Sequence, residues 1–518
     1  MQGLIADRTR SGLGGPSPSR GPLGGCLGCP LIELQMSNRQ ISRRALLAGS
    51  SAGLAVLGSG KLPAAPREIL NDASGLNPTP VAQHWIARTE ARDDFIARLR
   101  NEIKLAAAAR RPVAVGVARH SMGGQSLPRN GTAITLRGAV CEPDTHARTF
   151  RASAGTRWSD VISTLDKIGY SPAVMQSNHD FGVGSTFCVN AHGWPVPYGP
   201  FGSTVRTIDL MLADGSIVTC SRTENQELFG LAMGGYGLFG IIVAVEAEMV
   251  ENSLLRPTYE HLASSQFAQV FPKHAEDPAV KMVYGRLSVA KQGFFADALA
   301  ISYRRVPTPA SGLPPAATYG PLTGVSREIY RAQIGLELAK RARWLAETEI
   351  GRRASSGIAT RNALMNEPAS NLAGRDTSRT DILHEYFVSP ERFPDFIRAC
   401  QDLIPASGEE MLNVTLRYVR ADQTSVLAFA PDRRIALVMS FSQRMTPQGE
   451  VGMMRMTEAL IDRVIAIGGS FYLPYRLHAR PDQVRKAYPR ADEFVAKKKQ
   501  YDPGLLFRNA MWEAYFAE

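Results

Sequence analysis

Two glycine-rich stretches hold the residue types best suited to chemistry. In the first, VGVARHSMGGQSLPRN at 115–130, a β-rich apolar run stops abruptly in Arg, His, Ser, Met and two glycines. Successive backbone N–H groups in a loop carrying Gly123 and Gly124 can form an anion nest, and Gly116, Arg119, Ser121 and Gln125 add small or donor groups. Such a loop suits a pyrophosphate. His120 sits at its lip, where a spare imidazole nitrogen can bond an electrophilic ring position; the bland alternative is a histidine resting on a loop. The second stretch, SNHDFGVGSTFCVNAHGWPVPYGPFGS at 177–203, leads through Gly182 and Gly184 into Ser185 and Thr186, then Asn190, Ala191, His192 and Gly193. Small residues and hydroxyls at that density suit a loop wrapped around a large polar cofactor.

A third glycine-rich stretch, GYGLFG at 235–240, matches GxGxxG letter for letter. A dinucleotide fingerprint must follow a strand and open a helix, so that the helix N-terminus meets the pyrophosphate. Here the pattern places a helix before the glycines and a strand after them. What remains is a tight turn that lets another backbone or a flat ring approach closely.

These loops need a scaffold to hold them. Periodicity predicts a helix over 91–109, strands over 113–117, 133–136 and 150–154, and a helix over 158–168. Strands over 205–212 and 216–220 flank Asp214-Gly215, a strong hairpin signal. A helix over 224–233 and an alternating strand over 241–250 follow. Residues 66–80 are Pro-rich and read as a linker. From about 255 the texture changes: strands at 280–287, 299–306, 380–388, 411–419 and 435–444 are interrupted by helices. Residues 326–350 read as one long helix with Arg and Lys on one face, and Ser389-Pro390 as a helix start. Helices over 481–488 and 492–501 precede YDPGLLFRN, whose destination stays open. The fold class expected is α+β, with a cofactor domain and a substrate domain.

A chain of 518 residues, 44% of them hydrophobic, is long enough for one large two-part enzyme or two to three ordinary domains. The formal charge of +11 invites a nucleic-acid reading. A good part of that charge lies in the N-terminal region, the rest is scattered apart from a cluster at 340–353, and no nucleic-acid-binding signature accompanies it. Ser42-Arg43-Arg44-Ala45-Leu46-Leu47, followed by a Gly/Ala-rich apolar run, reads as a twin-Arg (Tat) export signal. That run falls short of the ~20 apolar residues a bilayer span needs. Met36 stands directly before SNRQISRR. The expectation is therefore a non-native extension over 1–35, a signal peptide over 36–65, and a folded chain carried by the Tat export machinery to the periplasm or otherwise outside. On that view Cys26 and Cys29 form no zinc or redox site. Cys141, Cys188, Cys220 and Cys400 match no zinc spacing and are expected as buried free thiols.

Taken in order, GVARHSMGGQ, FGVGSTFCVNAHG, VRTIDLMLADGSIVTCS and ELFGLAMGGYGLFGIIVAVEAEM resemble the FAD-binding domain of the vanillyl-alcohol-oxidase (PCMH-type) superfamily. YPRADEFVAKKKQYDPGLLFRN resembles the closing segment of its sugar-oxidising branches: aldonolactone oxidases, alditol oxidase and decaprenylphosphoryl-ribose oxidases. The likeness is good over 81–250, moderate over 410–510 and weak over 255–405. It implies a two-subdomain PCMH-type FAD-binding domain over 78–254 and an α+β substrate or cap domain with a mainly antiparallel sheet over 255–470. A C-terminal segment over 471–518 would complete the site. It implies FAD as the cofactor. Gly116, Arg119, His120, Ser121, Met122, Gly123, Gly124 and Gln125 match the pyrophosphate loop, His120 at the place of the histidine that in several branches binds the flavin covalently. Gly182, Gly184, Ser185, Thr186, Asn190, His192 and Gly193 match the loop along the pyrophosphate and isoalloxazine. Gly237, Gly240 and Ile242 match the adenine-side turn and strand. Asn178 stands where bicovalent members carry a Cys, which implies at most one covalent link.

The substrate side departs from the likeness. Aldonolactone and alditol oxidases carry Glu-x-Arg on a substrate-domain strand; in VTLRYVRAD, Arg417 matches the Arg, but Thr415 takes the Glu place. Arg417 is expected to polarise a substrate oxygen or steady the reduced flavin. Candidates to replace the carboxylate lie in FYLPYRLHA: Tyr472, Tyr475, Arg476 and His478. His478 is the candidate general base, since histidine has the unperturbed pKa nearest 7; aromatic packing on a strand is the alternative. The expected activity is an FAD-dependent oxidase or dehydrogenase taking hydride from a carbinol C–H of a small-molecule sugar, sugar lactone, polyol or related alcohol. Oxygen (O2), a quinone or a cytochrome would accept the electrons. The alternatives are a lipid-linked sugar oxidase of the cell envelope and a non-catalytic flavin-binding electron-transfer protein docking through its basic helix. No metal or nucleic-acid partner is expected.

Overall fold

The computed structural model describes residues 68–88, 92–309, 312–316, 323–350, 357–369, 374 and 376–517. The expectations for 1–65, including Met36, the twin-Arg block, Cys26 and Cys29, lie outside the described residues.

Among the described residues, Gln83–Arg88, Thr132–Arg137 and Val113–Gly116 form a three-stranded parallel sheet with Thr132–Arg137 at its centre. Five of the six residues of Thr132–Arg137 are buried, the signature of a parallel strand covered on both faces. Helix Arg92–Ala108 packs onto this sheet through Phe95, Ile96, Leu99, Ile103 and Ala106, a single stripe at helical spacing. A six-stranded antiparallel sheet follows, running Ile217–Ser221, Val205–Met211, Ile241–Glu251, Thr149–Ser153, Cys141–Asp144, with Tyr170–Pro172 pairing the far end of Ile241–Glu251. The Asp214-Gly215 turn closes its hairpin with Gly215 at φ +82°. These two sheets are the expected two subdomains.

The third sheet has eight antiparallel strands in the order Ala359–Thr360, Leu254–Ala263, Asp297–Arg305, Val280–Leu287, Glu410–Val419, Arg434–Arg444, Arg379–Val388 and Ser470–Phe471. Strand alternation sorts its faces. Gly285, Leu416, Leu437 and Tyr386 turn towards helices Ser264–Glu276, Phe393–Ser407 and Pro447–Ala466. A side chain at Gly285 would overlap Phe267, and the Tyr386 ring lies 5.2 Å from that of Phe396. Leu383, Glu385, Thr415, Arg417 and Val438 share the opposite face, which looks onto the first two sheets.

Several expectations need correcting. Of the linker expected over 66–80, residues 68–80 are described and are no loose connection: Ile69–Leu70 pairs with Thr79–Pro80, and buried Asp72 accepts hydrogen bonds from Ser74, Asn77 and the Gly124 N–H. The single helix over 326–350 is broken. Thr323–Ala332 and Glu337–Leu345 are separated by a turn with Gly335 at φ +70°, and the second runs into a π-helical turn at Ala346–Ile350. Arg341 is exposed, but two of its cations turn inward. Lys340 is buried against Glu337 and Glu410, and Arg343 bonds Gln333, the Leu412 carbonyl and Glu347. Gln83–Arg88, Leu254–Ala263 and Pro447–Ala466 were not anticipated.

The C-terminal tail returns to the parallel sheet. Val113 N donates to Leu506 O at 2.7 Å, and Phe507 bridges to Val113 in parallel register. The tail is held by a fully buried ion pair between Lys498 and Asp502, whose carboxylate also accepts from Leu506 N and Phe507 N. Burial pushes the Lys498 amine down to about 8, against the pull of Asp502. Replacing Lys498 with Ala leaves a buried carboxylate without its cation. The expected loss is ~3–5 kcal/mol, read as a lower denaturant midpoint at unchanged slope.

Candidate active site

A cleft of about 1360 Å³, its mouth included, lies between the glycine loops and the open face of the eight-stranded sheet.

The first loop lines the cleft with Gly116, Arg119, His120, Ser121 and Gln125. Arg119 takes φ 52° and donates to Thr135 Oγ1 at 2.6 Å; burial lowers its pKa. Among the described residues, the backbone N–H groups of residues 118–121 have no acceptor. The N–H groups of the expected nest do have partners. Met122 N donates to Pro474 O at 2.8 Å, Gly123 N to Gln125 Oε1 at 2.9 Å and Gly124 N to Asp72 Oδ2 at 2.8 Å. Met122, Gly123 and Gly124 therefore do not line the cleft; they bind the loop to the rest of the protein. Gly123 is needed because a side chain there would collide with the Tyr475 carbonyl.

Gly182, Gly184, Ser185, Thr186 and His192 of the second loop line the cleft, as does Asn178. Asn190 and Gly193 lie behind it. Asn190 Nδ2 donates to Asp422 at 2.8 Å while its Oδ1 accepts from Gly202 N, and a side chain at Gly193 would overlap the Met175 carbonyl. The turn with Gly237 at φ +74° follows helix Gln226–Ala232 and precedes strand Ile241–Glu251, the order that excludes a dinucleotide fingerprint. Gly237, Gly240 and Ile242 line the cleft. His120 stacks on Phe181 with ring centroids 4.3 Å apart and sets Nε2 3.3 Å from Asp180. Burial raises the Asp180 pKa, but hydrogen bonds from His120 and Ala369 N outweigh it and hold the carboxyl below its usual range.

On the opposite wall stand Arg417, Tyr472 and Tyr475. Arg417 Nη1 donates to the His192 carbonyl at 3.0 Å and Nη2 to Ser177 Oγ. Burial lowers its pKa, and Glu385 pulls it back up. Tyr472 OH donates to Val189 O at 2.7 Å. Burial pushes both tyrosine hydroxyls well above their ordinary value, with Glu385 adding to the effect. Glu385 is the side chain that motif reading missed. It is 3% exposed, lines the cleft, and accepts from Tyr475 OH at 3.1 Å.

His478, expected as the general base, is not in the cleft lining. Residues 474–477 turn the chain so that Tyr475 faces the cleft and His478 faces helix Pro447–Ala466. There its Nε2 lies 2.9 Å from Glu450 and its Nδ1 3.2 Å from Thr457 Oγ1. Arg476 joins the same cluster, pairing with Glu450 and donating to Asn77 Oδ1 at 2.8 Å. All four described cysteines are free, Cys220 and Cys400 buried, Cys141 and Cys188 half-buried. Cys188 lines the cleft, and burial pushes its thiol up to about 12.

Residues 96–221 match the family described as "FAD binding domain". The chain carries an FAD binding domain. It is 30% identical over 204 residues to "Cytokinin dehydrogenase 8" of Oryza sativa subsp. indica, covering 34% of this chain and 38% of that protein. It is 33% identical over 128 residues to "Cytokinin dehydrogenase 2" of Arabidopsis thaliana, covering 24% and 25%. "Uncharacterized oxidoreductase ORF5 in fasciation locus" of Rhodococcoides fascians is 27% identical over 173 residues, covering 33% and 38%. The matches thus span well under half the length of these relatives. They bear out the FAD-binding PCMH-type likeness and FAD as the cofactor; the sugar-oxidising branch is a finer matter.

The residues of the cleft fit FAD. The acceptor-free N–H groups of residues 118–121 would hold the pyrophosphate oxygens, and the bare backbone at Gly182, Gly184 and Gly237 leaves space for flat rings. Gln176, Ser177 and Asn178 add polar side chains on the same wall.

The Glu450 cluster has a readable pH consequence. Burial raises the Glu450 pKa from its ordinary 4.5, but hydrogen bonds from His478, Arg476 and Gln443 reverse the shift and leave it strongly depressed. A carboxyl depressed in the folded state stabilises fully above its unfolded pKa and loses that contribution as the pH falls through its folded value. Glu450→Gln should therefore lower the unfolding midpoint at pH 7. The gap to wild type should shrink on acidification below about pH 4.5, as thermal unfolding across a pH series would show.

Proposed function

We propose that the protein is an FAD-dependent oxidoreductase acting on the carbinol C–H of a small sugar, sugar lactone, polyol or related alcohol. One observation carries this reading: a half-buried cation, Arg417, and a buried carboxylate, Glu385, stand together on the wall facing the FAD-binding loops. When bound, FAD supplies a two-electron acceptor for hydride. Arg417 offers fixed positive charge where negative charge develops, in a low-dielectric site where it acts strongly. Tyr472, Leu383 and Val438 shield that place from water. Gln176 and Ser177 offer hydrogen bonds suited to a hydroxylated substrate. The relatives' names support an oxidoreductase; cytokinin is the substrate their names speak of, and their match covers too little of those proteins to bring it here.

The test is anaerobic. Purified holoprotein mixed with a panel of sugars, lactones and polyols should lose its flavin absorbance with at least one of them. Arg417→Met should slow that bleaching ~10²–10³-fold, the usual loss on removing one charge-stabilising donor. Bleaching by amines and by no alcohol would overturn the alcohol reading.

We also propose that FAD is attached through His120. Its Nε2 is engaged by Asp180, and its Nδ1 has no hydrogen-bond partner among the described residues. Acid-precipitated wild-type protein should stay yellow, whereas His120→Ala should release its flavin into the supernatant. Complete release from wild type would show that the binding is non-covalent.

A further inference from the structure

We propose that Glu385 is the catalytic base of this site and His192 its positioning residue, an assignment that rests on the alcohol-oxidation reading above. Strand Glu410–Val419 carries Thr415 where the sugar-oxidising likeness expects a carboxylate. Thr415 pairs with Val438, and Val438 pairs with Glu385, so the three form one row across the sheet on its open face. A carboxylate is therefore present in that row, supplied two strands away. Among the described residues that line the cleft, Glu385 is the acidic side chain.

Its two oxygens differ. Oε2 accepts from Tyr475 OH at 3.1 Å. Oε1 is buried and lies 2.5 Å from His192 Nε2. A carboxylate has about four lone-pair sites, so these two contacts leave lone pairs for a further donor to fill. A substrate hydroxyl is the ligand that would do so. His192 and Tyr475 come from distant parts of the chain and contact the two carboxylate oxygens, while Arg417 acts on the carboxylate only electrostatically. His192 is 3% exposed and its own carbonyl is gripped by Arg417. The charged and titratable groups that face Glu385 are His192, Arg417, Tyr472, Tyr475, Tyr236 and, more remotely, Tyr488.

The step balances. The substrate O–H bond breaks, its proton passes to the Glu385 carboxylate, and its electron pair becomes the second bond of the new carbonyl. The carbinol C–H leaves with its pair as hydride to the two-electron acceptor. The alcohol is oxidised by two electrons and the acceptor is reduced by two.

The experiment follows anaerobic bleaching of the holoprotein by the panel alcohol that works fastest. Glu385→Gln should keep its flavin content, its spectrum and its reduction by dithionite, while bleaching by the alcohol slows ~10²–10⁴-fold. Glu385→Ala should be slow as well and should recover rate when formate or acetate is added, which a merely structural role would not allow. His192→Asn should lower kcat while leaving KM close to wild type, and formate should not restore it. Wild-type bleaching in Glu385→Gln, or no rescue of Glu385→Ala, overturns the assignment and leaves the alcohol reading standing. A wild-type flavin that dithionite reduces but no alcohol does overturns both.

Discussion

Gln125 is the point at which the two ends of the described chain are fastened together. Its Nε2 donates to the carbonyls of Leu473 and Tyr475, its Oε1 accepts from Gly123 N, and its own carbonyl accepts from Asn509 Nδ2. Asn509 Nδ2 also donates to Tyr236 O in the glycine turn. One buried amide thus links the first glycine loop to the wall that carries Tyr472 and Tyr475, and through Asn509 to the third glycine stretch. Both donors of the side-chain amide and its oxygen are engaged at once, which a glutamine allows. The cleft keeps its width because its opposite walls are tied at this point by hydrogen bonds rather than by apolar contact, which is non-directional.

The second organising constraint is the two-residue period of a strand. Arg379–Val388 serves both sides of the large sheet. Glu385 turns to the cleft, whereas its neighbour His384 turns to helix Pro447–Ala466, where it meets Thr457 and lies across from the His478 ring. Burial, aided by His478, pushes the His384 pKa down to about 3. The far face therefore holds a cluster of His384, His478, Glu450 and Arg476 with no place in the cleft lining. Its work is to anchor the turn from Pro474 to His478, so that Tyr475 enters the cleft. The chemistry and its mechanical support sit on opposite faces of one sheet.

What could be read in advance follows from whether the signal was local. The three glycine-rich loops are local: composition marks those of Gly116, His120, Gly182 and Gly184 as suited to a cofactor, the family resemblance adds Gly237, and all five residues line the cleft. The hairpin at Asp214-Gly215 and strand Val280–Leu287 were equally plain. Three things were hidden because they depend on partners distant in sequence. The N–H groups of Met122, Gly123 and Gly124 look available until Pro474, Gln125 and Asp72 are seen to accept them. Glu385 lies thirty residues before Thr415 in the chain and beside it in the sheet; only register brings them into one row. His478 was chosen for its pKa, and nothing in FYLPYRLHA says that the turn at Pro474 sends Tyr475 and His478 to different sides. The helical period over 326–350 hid Gly335, whose left-handed backbone ends the first helix.

The groups left without partners share a physical meaning. The N–H groups of residues 118–121, Arg417 Nε and His192 Nδ1 all belong to residues that line one cleft. Each buried polar group without a partner costs the folded protein about 1–3 kcal/mol in lost hydration. Such groups also occur away from the cleft, at Trp194 Nε1, Gln333 Nε2 and Asn362 Oδ1 among others. Those at the cleft differ in standing where a ligand can remove the cost. A dinucleotide on one wall and a hydroxylated substrate on the other would meet donors and acceptors already held in place by the sheet, so little ordering entropy remains to oppose binding. By linkage, a ligand that satisfies groups exposed to one another only in the folded state stabilises that state. The FAD-binding loops and the Arg417–Glu385 wall are on this argument weakest when empty, and filling them completes the fold as well as the site.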